Sequence, residues 1–121
     1  MALAKQMMGG GLSAGQAKAI NGAIAPAVSA AGTTQGTATT IGAGINLITT
    51  VAANSGVILP SCEKADYVEI YNAGANTLTV YPDSGSQING VAANTGISLA
   101  INTFCGFRRM TSTRWAAQLS A

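Results

Sequence analysis

Two runs of alternating apolar and polar residues lie close together between Asp66 and Pro82, DYVEIYNAGANTLTVYP. Val68 and Ile70 alternate with Tyr67, Glu69 and Tyr71, and Leu78 and Val80 alternate with Thr77, Thr79 and Tyr81. A period of two marks a strand with one buried face. With Ala73, Gly74 and Ala75 as the loop, the two strands are expected to form a hairpin in which Asn72 faces Asn76, Ile70 meets Leu78 and Val68 meets Val80. Tyr67 then sits opposite Tyr81 on the other face. A loop one residue longer or shorter would put the apolar residues on opposite faces, so the pattern selects this register.

The remaining strands read as additions to that hairpin: Ile41 to Val51, Gly56 to Leu59, Ser86 to Ile88, Thr95 to Ile101, Phe104 to Met110 and Thr113 to Leu119. Turn signals such as Asn54-Ser-Gly56, Pro82-Asp-Ser-Gly85, Asn89-Gly90 and Asn94-Thr-Gly96 separate them. About eight short strands at this spacing predict an all-β domain over 37–121, an antiparallel β-sandwich of jelly-roll type. One segment echoes another. Val51-Ala-Ala-Asn-Ser-Gly-Val-Ile-Leu59 matches Val91-Ala-Ala-Asn-Thr-Gly-Ile-Ser-Leu99. Two copies are too few for a solenoid and suit equivalent corners of a sandwich or a chance recurrence in a turn-rich chain.

Residues 1–36 differ: they are rich in Ala and Gly, lack aromatics, and hold Lys5 and Lys18 as their only charges. Met1 to Met8 reads as a short helical piece stopped by Gly9 to Gly11. Ser13-Ala-Gly-Gln16 fits a capping box for a helix from Ala14 to Ala23, ended by Pro26 and the residue before it. Its apolar stripe of Ala17, Ile20 and Ile24 is too thin to hold a helix alone in water. This N-terminal arm is therefore expected to order against something else, with a partner subunit the natural candidate.

Composition narrows the function classes. Charged residues make up 8% of the 121-residue chain, against roughly 25% in typical soluble domains. So little charge leaves an isolated surface poorly solvated and points to burial against other subunits. The net charge of +2 does not by itself call for nucleic acid. Histidine is absent, which removes the commonest general base and metal ligand. Cys62 and Cys105 lack CxxC spacing and read as buried thiols in preference to a disulfide. Polar residues interrupt any apolar run at the start, so no secretory signal is expected. No stretch reaches the roughly 18 apolar residues of a membrane span. A soluble protein assembled in a cytoplasm is the expectation.

The acids Glu63, Asp66, Glu69 and Asp83 do not form a carboxylate pair, because Asp66 and Glu69 fall on opposite strand faces. No catalytic, metal or cofactor site is expected, and the Gly-rich segments lack the Lys-Ser/Thr of a phosphate loop. Arg108, Arg109 and Arg114 cluster on the last hairpin. Surface pairing with Glu63, Asp66 or Glu69 is the first reading, docking on an acidic partner the second, and phosphate binding the last. Arg109 shares a face with Cys105 and Phe107, and Trp115 reads as core. Tyr67, Tyr71 and Tyr81 form a stripe suited first to a subunit interface, then to sheet packing, then to sugar binding.

The run Asn-x-Gly-x-Asn-x-Leu-x-Val-Tyr-Pro at 72–82, with Ile88-Asn-Gly90 and Trp115, resembles small virion proteins of tailed bacteriophages, in particular head decoration or cement proteins. The resemblance spans residues 51–119. It implies a small β-sandwich or jelly roll that forms homotrimers on the capsid exterior, with a terminal arm across the major capsid protein. Residues 1–36 carry no matching motif, so their part as a clamp follows from composition alone. The expected partner contacts are Lys5, Lys18, Ile20 and Ile24 on the arm and Tyr67, Tyr71, Tyr81, Arg108, Arg109 and Arg114 on the strands. Partners are the major capsid protein and further copies of the chain, with no nucleic acid, membrane or small-molecule substrate. A trimeric fibre or tail knob that binds host polysaccharide is the alternative. It would call for long loops rich in aromatic and polar groups, and the loops here are short and rich in Ala and Gly. An enzyme is set aside.

Overall fold

The computed structural model describes residues 24–42, 44–61 and 66–119. Among them are ten strands: β1 (Ile24–Ser29), β2 (Thr39–Thr40), β3 (Ile45–Thr50), β4 (Gly56–Ile58), β5 (Tyr67–Asn72), β6 (Leu78–Tyr81), β7 (Gln87–Ile88), β8 (Ile97–Leu99), β9 (Phe104–Thr111) and β10 (Arg114–Leu119). They form a six-stranded sheet in the order β1-β3-β5-β9-β10-β7 and a four-stranded sheet in the order β2-β4-β6-β8.

From β1 to β6 the chain passes from one sheet to the other at every strand. β1, β3 and β5 are parallel neighbours in the larger sheet, and β2, β4 and β6 are parallel neighbours in the smaller one. Parallel neighbours need a crossover, and here a strand of the other sheet supplies it. Ile24 pairs with Ile45 and Ile45 with Glu69, steps of 21 and 24 residues. This is a solenoid-like winding. The C-terminal strands end it. β8 adds antiparallel to β6 and β9 antiparallel to β5. β10 then pairs antiparallel with β9 and parallel with β7.

The all-β expectation holds, but the antiparallel jelly roll does not, because five of the eight strand pairings are parallel. The hairpin between 66 and 82 does not form either. β5 and β6 lie in different sheets, with Ile70 beside Asn46 and Cys105, and Leu78 beside Leu99. The alternation itself is as read: Val68, Ile70, Leu78 and Val80 are buried. What redirects the chain is the corner at Asn72. Its side-chain amide donates to the carbonyls of Asn76 (2.9 Å) and Leu99 (3.0 Å) and accepts from the Gly74 N–H (3.0 Å). Ala73 N–H then donates to Ile48 O (2.9 Å), and Asn76 Nδ2 to Val51 O (2.8 Å). The corner stacks on the preceding corner in place of folding back.

β1 and the turn after it, read as arm, are part of the sheet. β1 is an edge strand, where Pro26 can sit without the N–H that a central strand would need. The helical pieces Met1–Met8 and Ala14–Ala23 lie outside the described residues, as does Cys62. The echoed segments flank β6, one entering β4 and the other β8. Each turns through an Asn in the left-handed region, Asn54 at φ 62° and Asn94 at φ 63°, a conformation that Asn adopts more readily than most residues.

The core lies between the sheets. Ile48, Ile70, Ile88, Cys105, Phe107 and Trp115 come from the larger sheet, and Val57, Leu78, Val80 and Leu99 from the smaller, all fully buried. Corner stacking leaves no room at Gly74, where an added Cβ would lie 2.5 Å from Val51 Cγ2 and 2.9 Å from Val51 N. Gly74→Ala should therefore lower stability by about 1–3 kcal/mol, since overpacking costs that much. Urea denaturation checks it. An unchanged midpoint would mean that Gly74 sits in a free loop.

Candidate functional site

The outward rows of the larger sheet are unusually apolar. Residues that point away from the core include Ile24 and Pro26 on β1, Ile45 and Leu47 on β3, Tyr67, Glu69 and Tyr71 on β5, Phe104, Arg108 and Met110 on β9, and Ala116 and Gln118 on β10. Register sets them in lines. Ile24, Ile45, Glu69, Gly106 and Gln118 form one row, Leu47, Tyr71 and Phe104 another, and Tyr67, Arg108 and Ala116 a third. The exposures of Ile24 (60%), Met110 (53%) and Tyr67 (43%) show that nothing in the described chain covers this face. A sheet open on one side ordinarily carries polar residues there.

Tyr67 leans across Gly106, where any Cβ would strike its hydroxyl. Arg108 lies over the Tyr67 ring, 4.7 Å from its centroid, a cation–π contact. Beside them is an open depression of about 480 Å³ lined by Tyr67, Gly106, Met110, Ala116 and Gln118. Gly106 and Ala116, both small and outward-facing, line its base.

Arg109 points the other way, as its parity with Cys105 and Phe107 predicts, and is 4% exposed. For Arg109 the expected pairing with Glu63, Asp66 or Glu69 does not form, and its partner is Asp83. Arg109 Nη1 donates to Asp83 Oδ1 (2.5 Å), Nη2 donates to the Ser112 carbonyl, and Trp115 Nε1 donates to the same Asp83 oxygen (2.9 Å). The guanidinium also lies 5.1 Å from the Trp115 ring centroid. Burial acts to raise the Asp83 pKa, but the hydrogen bonds from Trp115, Arg109 and Ser86 and the charge of Arg109 outweigh it and hold the carboxyl below its usual range. This cluster pins the turn after β6 to the β9–β10 hairpin. Among the described residues Arg109 Nε has no hydrogen-bond partner, while one Asp83 oxygen serves both Arg109 and Trp115, which suits a structural lock.

The other expected contacts are dispersed. Tyr71 shares the outer face with Tyr67, but Tyr81 is on the outer face of the smaller sheet, so the stripe of three tyrosines is split. The Tyr81 ring lies between Gly56 and Gly96, at whose positions a Cβ would come within 2.8 Å and 3.0 Å of it. Its hydroxyl donates to Thr33 O (3.2 Å). Arg114 is exposed at the start of β10, paired in register with Gln87 on β7. Lys5, Lys18 and Ile20 lie outside the described residues. Sequence reasoning missed Asp83. The signal was available, since an inward Arg109 demands a carboxylate and the chain has four acids. Cys105 is a buried free thiol whose pKa burial pushes up to about 11. Among the described residues no cluster of His, Cys, Asp and Glu could hold a metal ion, and no helix is long and apolar enough to cross a membrane.

Comparison with protein-family models, with curated proteins and with solved structures finds no match to this chain.

Removing Asp83 strands a buried guanidinium, so Asp83→Ala should cost about 3–5 kcal/mol in chemical denaturation at neutral pH. Because the folded pKa of Asp83 is depressed, its contribution is complete above the unfolded value near about 4 and is lost as pH falls through the lower folded value. Wild-type stability should accordingly fall more steeply in acid than that of the variant; parallel pH profiles would contradict the assignment. In a Cys62→Ala background, Cys105 should resist a thiol reagent at about pH 8 until the protein is unfolded. Rapid labelling of the native protein would show that the thiol is accessible.

Proposed function

We propose that this protein is a structural component of a tailed-phage virion: a decoration, or cement, protein that binds the outer surface of the major capsid shell as a homotrimer and stabilises it without chemistry. The observation that carries this reading is the broad apolar outer face of the larger sheet, in a chain with 8% charged residues. Uncovered apolar patches of this kind mark interaction surfaces. The sequence run at 72–82 supports the phage assignment. The jelly roll that the resemblance implied does not.

The mechanism follows from multivalency. A small assembly that holds several neighbouring shell subunits at once gains avidity without new contacts, which raises the cost of separating them. Residues 1–23, with Lys5, Lys18 and Ile20, lead directly into β1 and can add a segment that orders on the shell. A non-enzymatic role is favoured by the lack of histidine and by the engagement of Asp83 with Arg109 and Trp115.

The alternative, a fibre or tail knob for host polysaccharide, draws on the exposed Tyr67 ring beside an open depression. Against it, Arg108 already lies over that ring.

Purified capsids that lack minor proteins separate the two. Full-length protein should bind them saturably, and removal of residues 1–23, which leaves β1 intact, should weaken binding at least about tenfold, the equivalent of 1.4 kcal/mol. Binding to host cells or their polysaccharide with none to capsids would overturn the cement reading.

A further inference from the structure

We propose that Asn89 is a site of spontaneous covalent modification: its side-chain amide guards the outer edge of β10, and its conversion to aspartate and isoaspartate opens that edge. The proposal does not depend on the phage reading above.

β7 is the edge strand of the larger sheet and is 2 residues long, so it pairs with β10 at Arg114 and Trp115 alone. Beyond Trp115, β10 is itself the edge. A row of unpaired backbone N–H and C=O groups there is an open template for another strand. Asn89 carries the ladder one step further. Its backbone N–H donates to Trp115 O (2.8 Å), at the end of the parallel pair. In a continued parallel ladder the carbonyl of the same residue would receive the Ala117 N–H. The chain turns away instead, with Asn89 at φ 52°, and the Asn89 carbonyl accepts from Gln87 Nε2 (3.3 Å). The side chain takes the vacated place. Asn89 Oδ1 accepts from Ala117 N (2.9 Å), and Nδ2 faces Ala117 O at 3.4 Å. The amide thus serves as one further peptide unit of β7.

The same residue is open to chemistry. Gly90 follows it, and both are exposed in the turn after β7. The Gly90 N–H has no hydrogen-bond partner among the described residues, and a Cβ at Gly90 would meet nothing within 4 Å. A backbone nitrogen without a bond to give up or a side chain in the way is the nucleophile that deamidation needs. Gly90 N attacks Asn89 Cγ and closes a succinimide ring. The Cγ–Nδ2 bond breaks, and ammonia leaves with the Gly90 proton, relayed by water. Water then opens the ring at one carbonyl to give aspartate, or at the other to give isoaspartate. The leaving nitrogen is the loosely held half of the amide, because 3.4 Å exceeds the usual N–H···O range. Oδ1 must first release the Ala117 N–H, so the folded protein reacts more slowly than the unfolded chain.

Either product removes the guard. Aspartate keeps an oxygen for the Ala117 N–H but sets a negatively charged acceptor where a donor faced Ala117 O. Isoaspartate routes the main chain through the former side-chain carbon and takes the group out of the ladder.

The test incubates full-length protein in mildly alkaline buffer, folded and, in parallel, unfolded in urea. Peptide mapping by mass spectrometry, with enzymatic methylation to report isoaspartate, follows Asn89 separately from Asn21, which also precedes a glycine. Folded wild type should accumulate both products at Asn89, more slowly than the unfolded chain. Gly90→Ala fits the open space and should slow the conversion several-fold, since its methyl hinders attack. The isoaspartate form, separated by its added negative charge, should show a lower urea midpoint and faster hydrogen exchange at the Ala117 amide. Asn89→Asp, the counterpart of the other product, should also lower the midpoint. An Asn89 that stays intact in the folded protein while the unfolded chain converts would overturn the modification site, as would equal rates in wild type and Gly90→Ala. Converted protein with the wild-type midpoint and wild-type exchange at Ala117 would overturn the guard.

Discussion

The fold depends on the corner at Asn72. Its backbone N–H donates to Thr103 O (3.0 Å) and its carbonyl accepts from Asn102 N (2.8 Å), while the side chain ties Asn76, Leu99 and Gly74. One buried residue thus joins the end of β5, the corner leading to β6, the end of β8 and the approach to β9. Both amide donors and the amide oxygen are used, the condition under which a buried polar group specifies an arrangement and does not weaken it. Leaving any one of these groups unpaired would cost about 1–3 kcal/mol. The corner sends the chain to the opposite sheet, where β6 continues the parallel series of β2 and β4.

What the corner begins, the Asp83 lock completes. The solenoid-like coils are closed by β8 on one sheet and by β9 and β10 on the other, and these strands come from the last part of the chain. Asp83, just beyond β6, reaches Arg109 on β9 and Trp115 on β10 and so ties the wound half to the antiparallel half. A buried ion pair is seldom a large net source of stability. Its effect here is to align two halves of different handing of strands, with a large aromatic core residue held in place by its indole N–H.

Much of this was legible in the sequence, and the limits are physical. Alternation identified Val68, Ile70, Leu78 and Val80 as core and turned Arg109 and Trp115 inward, because a period of two reports which face a side chain takes. It carries no information on which strand lies alongside. The loop Ala73-Gly74-Ala75 has hairpin length, but the decisive contacts run to Ile48, Val51 and Leu99, far away in sequence. The echo of 51–59 in 91–99 was a true signal of equivalent positions: both segments flank β6, and Gly56 and Gly96 make room for Tyr81 on either side. That one copy runs parallel and the other antiparallel to β6 could not be read from two similar strings. The apolar outer face was half visible through Tyr67 and Tyr71. Its full width needed the register of β3 and β9 on β5, which brings Ile45, Leu47, Phe104 and Met110 into the same field.

An apolar outer face is intelligible only on this winding, because a hairpin would have put Tyr81 beside Tyr67 and left Ile45 elsewhere. The direction of strand pairing around β5 is therefore the measurement to make, by nuclear Overhauser contacts between backbone protons of isotope-labelled protein. The structure requires parallel contacts between the Asn46 and Ile70 strands and between the Val57 and Val80 strands, with antiparallel contacts from Ile70 to Cys105. Close Hα–Hα contacts linking β5 to β6, with Ile70 opposite Leu78, would restore the hairpin and contradict the account.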